Sequence, residues 1–570
     1  MSYEKTADLE FISMKKTICL FLVSLFSINS FSQVVLTENQ KLESLCKVWG
    51  FLKYYHPVII KGKTDWDQQL IKLIPEVIST RDKQELSNLY LCWIGSLGSV
   101  TACRKSQTIV IPNSLKYNLN IGWLKDQNLF SDSLIEVLDY IYKNRSQRIN
   151  YNAKQNFSHS RVSFENRQPY IGMVYPEVEY RLLSLFRFWN VINYYFPYKY
   201  VIGEDWNIVL TEMIDRFKDA KDTVDYHLAL AELTATINDS HSGITTKYIL
   251  QHFGSYQVPF QIKIINEKAV VIAFYNDSLS NVDEIRHGDV ILSVNNKPVS
   301  EIIAERSKYI SASNLPRKLY RLSWFLLNGN SDSARITFDR DGKTFQKCIH
   351  RYKFKDLCMS WKTWWGITYK DTNAMVRTLN DHIGYINMGK LTLEKVRQVM
   401  TQMMTMDAII FDLRNYPNGT AWKISKYLSE NKKAFAIWTY PLKGNPGIFQ
   451  EVPDYGGSKN SHHYKGKVVI LVNELTISQS EYSCMLIQAV INTTIVGSQT
   501  AGADGDIAIF TFPGGYETAF SGHGIFYPDG RETQRIGIVP DIKITQTIDG
   551  IRNGKDEILD RAIQFLSTGR

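Results

Sequence analysis

Two stretches of this chain align without a gap at an offset of 140 residues: LCKVWGFLKYYHPVIIKGKTDWDQQLIKLI from Leu45 and LFRFWNVINYYFPYKYVIGEDWNIVLTEMI from Leu185. Trp49 matches Trp189, Tyr54 and Tyr55 match Tyr194 and Tyr195, Pro57 matches Pro197, and Trp66 matches Trp206. Each copy reads as an amphipathic helix stopped by proline, a turn, and a second helix opening near Asp-Trp. The shared aromatics are read as core packing. The copies part at their ends. The first closes in WIGSLGSV, whereas the second runs into LTATINDSHSGI and so gains Asp239, Ser240, His241, Ser242 and Gly243. Duplication supplies a scaffold, and only the second copy carries a polar cluster at its exit. Between the copies, residues 105–170 include the polar stretch NRSQRINYNAKQNFSHSR, which reads as a surface connection.

A chain of 570 residues calls for two to four domains. With 44% hydrophobic and 22% charged residues it has the make-up of a globular protein without long disordered tracts. The formal charge of +9 is not gathered into a dense basic run, so the reading is a solvated basic surface with no nucleic-acid partner. MKKTICLFLVSLFSINSFSQ, from Met14, has two lysines, an apolar run from Ile18 to Ile28 and small residues at Ser30 and Ser32. That is the pattern of a signal peptide over 14–32, cleaved near Ser32, with the thirteen residues before Met14 read as a misassigned start. Cys19 stands ahead of most of the apolar run, a poor place for lipid attachment. The expectation is a free periplasmic or secreted protein without a membrane anchor. Six cysteines remain after cleavage; Cys92 with Cys103 and Cys348 with Cys358 are near enough in sequence to pair, and isolated thiols are the alternative. No CxxC pair or HExxH spacing is present, so neither a metal nor a cofactor is expected.

From about Tyr256 the pattern changes to short alternating strands, FQIKII, AVVIAFY and GDVILSVNNKPV, then a helix from Ser300 to about Tyr309 and the hairpin-like ARITFDRDGKTFQKCIHR. Gly288-Asp289-Val290-Ile291 followed by Asn295-Asn296-Lys297-Pro298-Val299 resembles the bacterial form of PDZ domains, with Asn296 where glycine is usual. Asparagine also tolerates the left-handed backbone of such a turn. From Trp361 onward IGYINMG, AIIFDLR, KVVILVN and TTIVGSQ read as buried strands separated by helical stretches, an α/β layered domain with its active loops at strand ends.

Two segments of the α/β part carry chemistry. DAIIFDLRNYPNGT is a strand ending at Asp412-Leu413-Arg414 that enters a turn through Pro417, Asn418 and Gly419. In VVILVNELTISQSEYSCMLIQAV a strand ends at Asn473 and a helix starts near Ser478. A serine at a helix N-terminus meets the positive end of the dipole and free N–H groups, which favour an alkoxide; a plain N-cap serine is the other reading.

DLRNYPNG is similar to the DLR-x-N-P-G-G segment of the tail-specific, or C-terminal processing, serine peptidases. NELTISQSE resembles their N-x-x-(S/T)-x-S-x-(S/A)-E segment, whose nucleophile stands two places before the Ser-Glu pair, here Ser478 and not Ser480. GSQTAGADG and YPDGRETQRIGIVPDI resemble the family's following stretches, and the PDZ-like segment precedes them in the family's order. The departure is in the base. Many members use a Ser-Lys dyad, but the place of the lysine reads Ala503-Asp504, and no lysine occurs between Ser478 and Lys543. The tricorn-like branch uses a Ser-His pair from the preceding domain, and Ser240-His241 resembles it.

That resemblance implies His241 as general base, with Nε2 within hydrogen-bond reach of Ser478 Oγ, Ser240 on the other ring nitrogen and Glu532 behind it. Gln534 competes with Glu532 for that supporting place, and His523 in SGHGIF competes with His241. The implied oxyanion donors are the N–H groups of Gly419 and Gln479. The expected architecture is multidomain, α+β and α/β: a helical domain over 38–170, a second helical repeat with the Ser-His motif over 176–250, a PDZ-like domain over 255–355, and a crotonase-type α/β spiral catalytic domain over 360–567. The expected function is that of an exported serine endopeptidase or carboxyl-terminal processing peptidase acting on peptide or protein substrates. The rival is a non-catalytic protein that binds peptides or hydrophobic ligands on the same fold.

Overall fold

A computed structural model describes residues 35–103, 117–146, 150–155, 162–164, 170–357 and 374–569. The signal-peptide segment 14–32 and Cys358 lie outside the described residues. The duplication extends further than the two helices read from sequence, because each copy is a three-helix unit. The first is Glu38–Tyr55, Trp66–Ser79 and Lys83–Ser96; the second is Val178–Tyr195, Trp206–Lys218 and Thr223–Thr236. Asp65, Asp82, Asp205 and Asp222 cap the second and third helices through their side chains, and Thr37 opens the first with a capping box to Gln40.

The matched tryptophans explain why both copies keep them. Trp49 Nε1 donates to Trp66 O at 2.9 Å and Trp66 Nε1 returns a bond to Trp49 O at 3.0 Å; Trp189 and Trp206 repeat the exchange at 2.7 and 3.0 Å. Each pair locks helix one to helix two while burying both rings. The copies then pack on one another through the two long helices. The amide of Asn190 fills the space beside Gly50, where a Cβ would lie 1.7 Å from Asn190 Oδ1, so only glycine fits there. Arg187 pairs with Asp67 of the other copy inside the same core. That core also takes in Phe510, Phe512 and Phe520 from the C-terminal part. They belong to the hairpin Ile507–Phe512 and Tyr516–Ser521, so the hairpin is seated in the helical domain.

The next unit is an antiparallel sheet in the order Phe260–Ile265, Lys268–Phe274, Val290–Val294, Ser333–Arg340 and Lys343–His350, with the short strand Lys297–Pro298 on Val290–Val294. Phe260–Ile265 is an edge strand. Helices Val299–Ser307 and Leu315–Ser323 help enclose its core of Phe260, Ile262, Ile291, Ile336 and Leu322. Asn295 and Asn296 both take positive φ, 50° and 64°, the left-handed turn anticipated from Asn296.

The C-terminal unit is a six-stranded sheet ordered Val376–Leu379, Ile383–Asn387, Ala408–Asp412, Lys467–Val472, Thr493–Gly497 and Ile542–Lys543, parallel after the first pair. Its middle strands are buried along almost their whole length because helices cover both faces, which is why they read as unbroken apolar runs. The C-terminal ends of Ala408–Asp412, Lys467–Val472 and Thr493–Gly497 lie side by side, so the loops that follow them gather at one edge. Cys92 is a free thiol, so the pairing considered for it with Cys103 is not formed. No helix among the described residues is long and apolar enough to cross a membrane.

Candidate active site

Ser478 sits where the chain turns from strand Lys467–Val472 into helix Gln479–Val490. The turn is built by Asn473, whose Oδ1 accepts from Leu475 N at 2.9 Å, and by Thr476, whose hydroxyl donates to Leu413 O at 2.8 Å. Ser478 itself has φ 54° and ψ −122°. A side chain in that region stores roughly 1–3 kcal/mol of strain and persists only where its surroundings over-determine it. They do so here: Ser478 N donates to Ala503 O at 2.9 Å and to Glu481 Oε2 at 3.3 Å. Ser480 is different, for its hydroxyl is buried and donates to Asn415 O at 3.0 Å. Of the two serines in the motif, Ser480 is a structural tie and Ser478 is the one set at the helix mouth.

Glu481 organises the loop opposite. Its carboxyl accepts from Gly502 N at 2.8 Å, Ala503 N at 3.0 Å and the Thr500 hydroxyl, while burial pushes it up to about 7. The place in the sequence at which a lysine was sought is held by Ala503 and Asp504. Asp504 is wholly buried, with Oδ2 unpaired among the described residues, and burial together with Glu481 raises its carboxyl well above the usual range. Gly419 has φ 70°, and a Cβ on it would lie 3.3 Å from Gln479 Nε2. The turn after strand Ala408–Asp412 therefore abuts the start of the serine helix.

His241 arrives from the exit of the second helical copy. Its Nδ1 is 2.8 Å from Ser521 Oγ, and Ser521 Oγ donates to Asp239 Oδ1 at 3.0 Å. Nε2 is buried with no hydrogen-bond partner among the described residues. Burial is the largest influence on the ring and, with Arg321 and Arg317, outweighs Asp239 and Asp506, holding it below its ordinary 6.5.

Three expectations about this histidine are corrected. Ser240 does not hold the ring: its hydroxyl donates to Ala501 O at 2.8 Å and accepts from Ser313 N at 2.9 Å, and these bonds commit it elsewhere. Glu532 does not stand behind Ser240, because its carboxylate takes the Tyr200 hydroxyl; Gln534 is the nearer residue, with Nε2 3.5 Å from both Asp239 Oδ1 and Ser313 Oγ. Nor is His241 hydrogen-bonded to Ser478, whose Oγ donates instead to Gly505 O at 3.4 Å. Both residues nevertheless meet one loop. Gly505 O receives the serine hydroxyl, and Asp506 O, one residue on, receives Gly522 N beside Ser521. His523, the rival base, packs against Trp438 and Tyr440 with ring centroids 5.5 and 5.0 Å away.

Helix Leu315–Ser323 of the β-domain touches all three loops. Arg321 donates to Ser240 O, Ser242 O and Ser311 O at 2.5 to 2.6 Å, Arg317 to Glu474 O at 3.2 Å, and Asn314 to Thr500 O at 2.7 Å. Its other face lines a cleft of about 600 Å³, closed on one side by edge strand Phe260–Ile265 and on the other by Asp412–Asn415 and Asn473–Leu475. Lys263 Nζ meets Glu474 Oε1 across it at 2.7 Å. No group of side chains among the described residues could hold a metal ion.

Sequence reasoning missed Ser521, Arg321 and the loop-bracing part of Glu481. Glu481 was visible as the last letter of the serine motif and Asp239 as part of NDSHSG, but nothing near Ser521 or Arg321 marks them, since their partners are 280 and about 80 residues away.

A solved structure of mature CPAF complexed with lactacystin matches 69% of this chain and 99% of its own at 15% identity, with a TM-score of 0.54. Mature CPAF alone matches 68% and 98% at 14%, with 0.53. These likenesses establish a shared fold. The photosystem II D1 C-terminal processing protease matches 66% of this chain and 97% of its own at 17%, with a TM-score of 0.37. A search of curated proteins finds no match to the chain. Residues 382–544, which carry Ser478, Glu481 and the loop they share, match Peptidase family S41.

Proposed function

We propose that this chain is an exported serine peptidase of the tail-specific kind, tricorn-like in its base, that hydrolyses peptide bonds through an acyl-enzyme on Ser478. The observation that carries the reading is the pose of Ser478: a serine with strained, left-handed φ at the mouth of helix Gln479–Val490, in the segment that matches a peptidase family. His241 is the general base. Its bare Nε2 takes the Ser478 proton as Oγ attacks the substrate carbonyl, and returns it to the leaving amine. The step requires the serine hydroxyl to turn from Gly505 O to the imidazole, a tightening of the kind that substrate binding brings to unliganded sites. The N–H groups of Gly419 and Gln479 receive the oxyanion at the positive end of the helix dipole. Water then attacks the acyl carbonyl along the same path as His241 removes its proton, and the imidazolium returns that proton to Ser478 Oγ as the acyl group leaves as a carboxylic acid.

In this reading the unit over 255–355 is PDZ-like, and a substrate chain adds to the free edge of Phe260–Ile265, its side chains reaching the cleft beside helix Leu315–Ser323. The C-terminal unit is the crotonase-type spiral of the family, and the leader over 14–32 directs the chain out of the cytoplasm. The test is hydrolysis of unstructured peptides with free C-termini by the purified mature chain. Turnover that is lost in Ser478→Ala supports the proposal; tight peptide binding with no turnover under any condition favours the rival, a non-catalytic binding protein.

A further inference from the structure

We infer that Asp239 and Ser521 form a positioning relay that fixes His241 in the tautomer a serine nucleophile needs, an assignment that rests on the peptidase reading above. The count of protons between the three side chains sets the tautomer. Ser521 Oγ lies 2.8 Å from His241 Nδ1 and 3.0 Å from Asp239 Oδ1. A hydroxyl has one proton to give, and an ionised carboxylate can only accept. The proton therefore goes to Asp239, Ser521 Oγ must accept, and Nδ1 is the nitrogen that carries hydrogen. A neutral imidazole has a single N–H, so Nε2 is left with its lone pair, buried and without a hydrogen-bond partner among the described residues. That is the acceptor Ser478 requires. Asp239 is too far to hold the ring directly, its Oδ1 being 3.9 Å from Nδ1, and the hydroxyl of Ser521 spans the gap.

The carboxylate is itself fixed. It is fully buried and accepts from His241 N at 3.0 Å, from Ser521 N at 2.5 Å and from Gln534 Nε2 at 3.5 Å as well as from the Ser521 hydroxyl. Ser521 is fixed too, at the end of the hairpin whose Phe510, Phe512 and Phe520 are packed in the core of the duplicated helices. The relay thus joins the exit of the second helical copy to the far end of the α/β unit. When Nε2 gains the serine proton, the imidazolium finds a carboxylate one hydroxyl away. The charged groups that face the ring are Asp239 from its own loop, Arg317 and Arg321 from helix Leu315–Ser323, and Asp506 ahead of the hairpin. Two cations and a dry site disfavour the imidazolium, so the stabilisation that reaches it through Ser521 bears directly on the rate.

The experiment follows covalent labelling of Ser478 by a fluorophosphonate across pH, with peptide kcat and KM measured alongside, in wild type and in Ser521→Ala, Ser521→Thr, Asp239→Asn and Ser478→Ala. Ser521→Ala should slow labelling and kcat by roughly 10–100-fold, less than the roughly 100–10,000-fold that the base itself contributes, and leave KM unchanged. Ser521→Thr, which keeps the hydroxyl, should recover most of the rate. Asp239→Asn should move the acid limb to lower pH, because a negative charge that favours the imidazolium has gone. Nitrogen spectra of histidine-labelled protein give a readout that does not depend on turnover: His241 should carry its hydrogen on Nδ1 in wild type and lose that preference in Ser521→Ala. Wild-type labelling, acid limb and tautomer in Ser521→Ala, with labelling abolished by Ser478→Ala, would overturn the relay and leave the peptidase reading standing. Undiminished labelling of Ser478→Ala would remove the reading on which the relay rests.

Discussion

Glu481→Ala tests how the serine loop is held. In the native chain the carboxyl of Glu481 accepts from Gly502 N, Ala503 N, Ser478 N and the Thr500 hydroxyl, all inside the protein. Truncation leaves Ser478 N its second acceptor, Ala503 O at 2.9 Å, and Thr500 Oγ1 still accepts from Ile538 N at 2.7 Å. Gly502 N and Ala503 N lose the acceptor altogether. A buried donor left unpaired costs about 1–3 kcal/mol, so the pair amounts to about 2–6 kcal/mol, toward the lower end if water enters the vacated space. For a unit of about 200 residues each kcal/mol is worth roughly 2–4 °C, which gives a fall in Tm of roughly 4–24 °C. Activity should fall further than stability does, because the same loop presents Ala503 O and Gly505 O to Ser478, and a displacement of about 1 Å there costs about 100-fold in rate. The assay is calorimetry beside peptide turnover at a temperature where the variant is fully folded. A Tm and kcat/KM indistinguishable from wild type would refute the view that Glu481 holds loop 500–506 against the serine.

Other outcomes follow from the same geometry. Ser478→Ala should abolish turnover with an unchanged melting curve, while Ser480→Ala, which loses one hydroxyl bond to Asn415 O, should lose about 1 kcal/mol of stability and keep most of its activity. The acid limb of kcat/KM should lie below pH 6.5, because burial and two arginines favour the neutral, proton-accepting form of His241; a limb above 6.5 would contradict His241 as the base. Glu481 is raised from 4.5 to about 7 in the folded chain, so the folded state holds its proton more tightly between those values. That contribution is fully present below pH 4.5 and lost as pH rises through about 7. The Tm of wild type relative to Glu481→Gln should therefore decline between pH 5 and 8, and a constant difference would exclude the titration. N-terminal sequencing of exported protein should find a chain beginning near Gln33; an intact leader on active protein would contradict cleavage near Ser32.

The legible parts of this fold were those written in local pattern. Trp49, Trp66, Trp189 and Trp206 announced the duplication because each pair must be matched within one helical hairpin, only 17 residues apart. The parallel strands showed as apolar runs, and Ser478 was marked by the residues on both sides of it. The orientation of His241 was not legible, because it depends on contacts between chain segments nearly 300 residues apart. Ser240 is adjacent to the histidine in sequence, yet a neighbour on a tight turn points away from the ring, and its hydroxyl was taken by Ser313 and Ala501. Ser521 reaches Nδ1 only because three phenylalanines anchor its hairpin in the helical core. Glu532 was drawn by motif position toward a place that Gln534, two residues on and in a turn rather than a strand, comes nearer to filling. The third helix of each copy was missed for a related reason: Ser44 with Tyr90 and Ser184 with Tyr226 repeat the same buried hydroxyl pair, and the third helices with their caps Asp82 and Asp222 keep the offset of 140, but the tyrosine stands one helical turn earlier in the second copy, so the shared pair falls on no matched position.

The central claim is that Ser478 is a nucleophile activated by His241, and its most direct test is to treat the mature protein with a fluorophosphonate and map the adduct by peptide mass spectrometry. A single adduct on Ser478 is expected, formed in wild type and in Ser480→Ala, absent from Ser478→Ala, and slowed at least about 100-fold in His241→Ala, the lower range of what a general base supplies. An adduct on another residue, or labelling of Ser478 at the wild-type rate in His241→Ala, would contradict it.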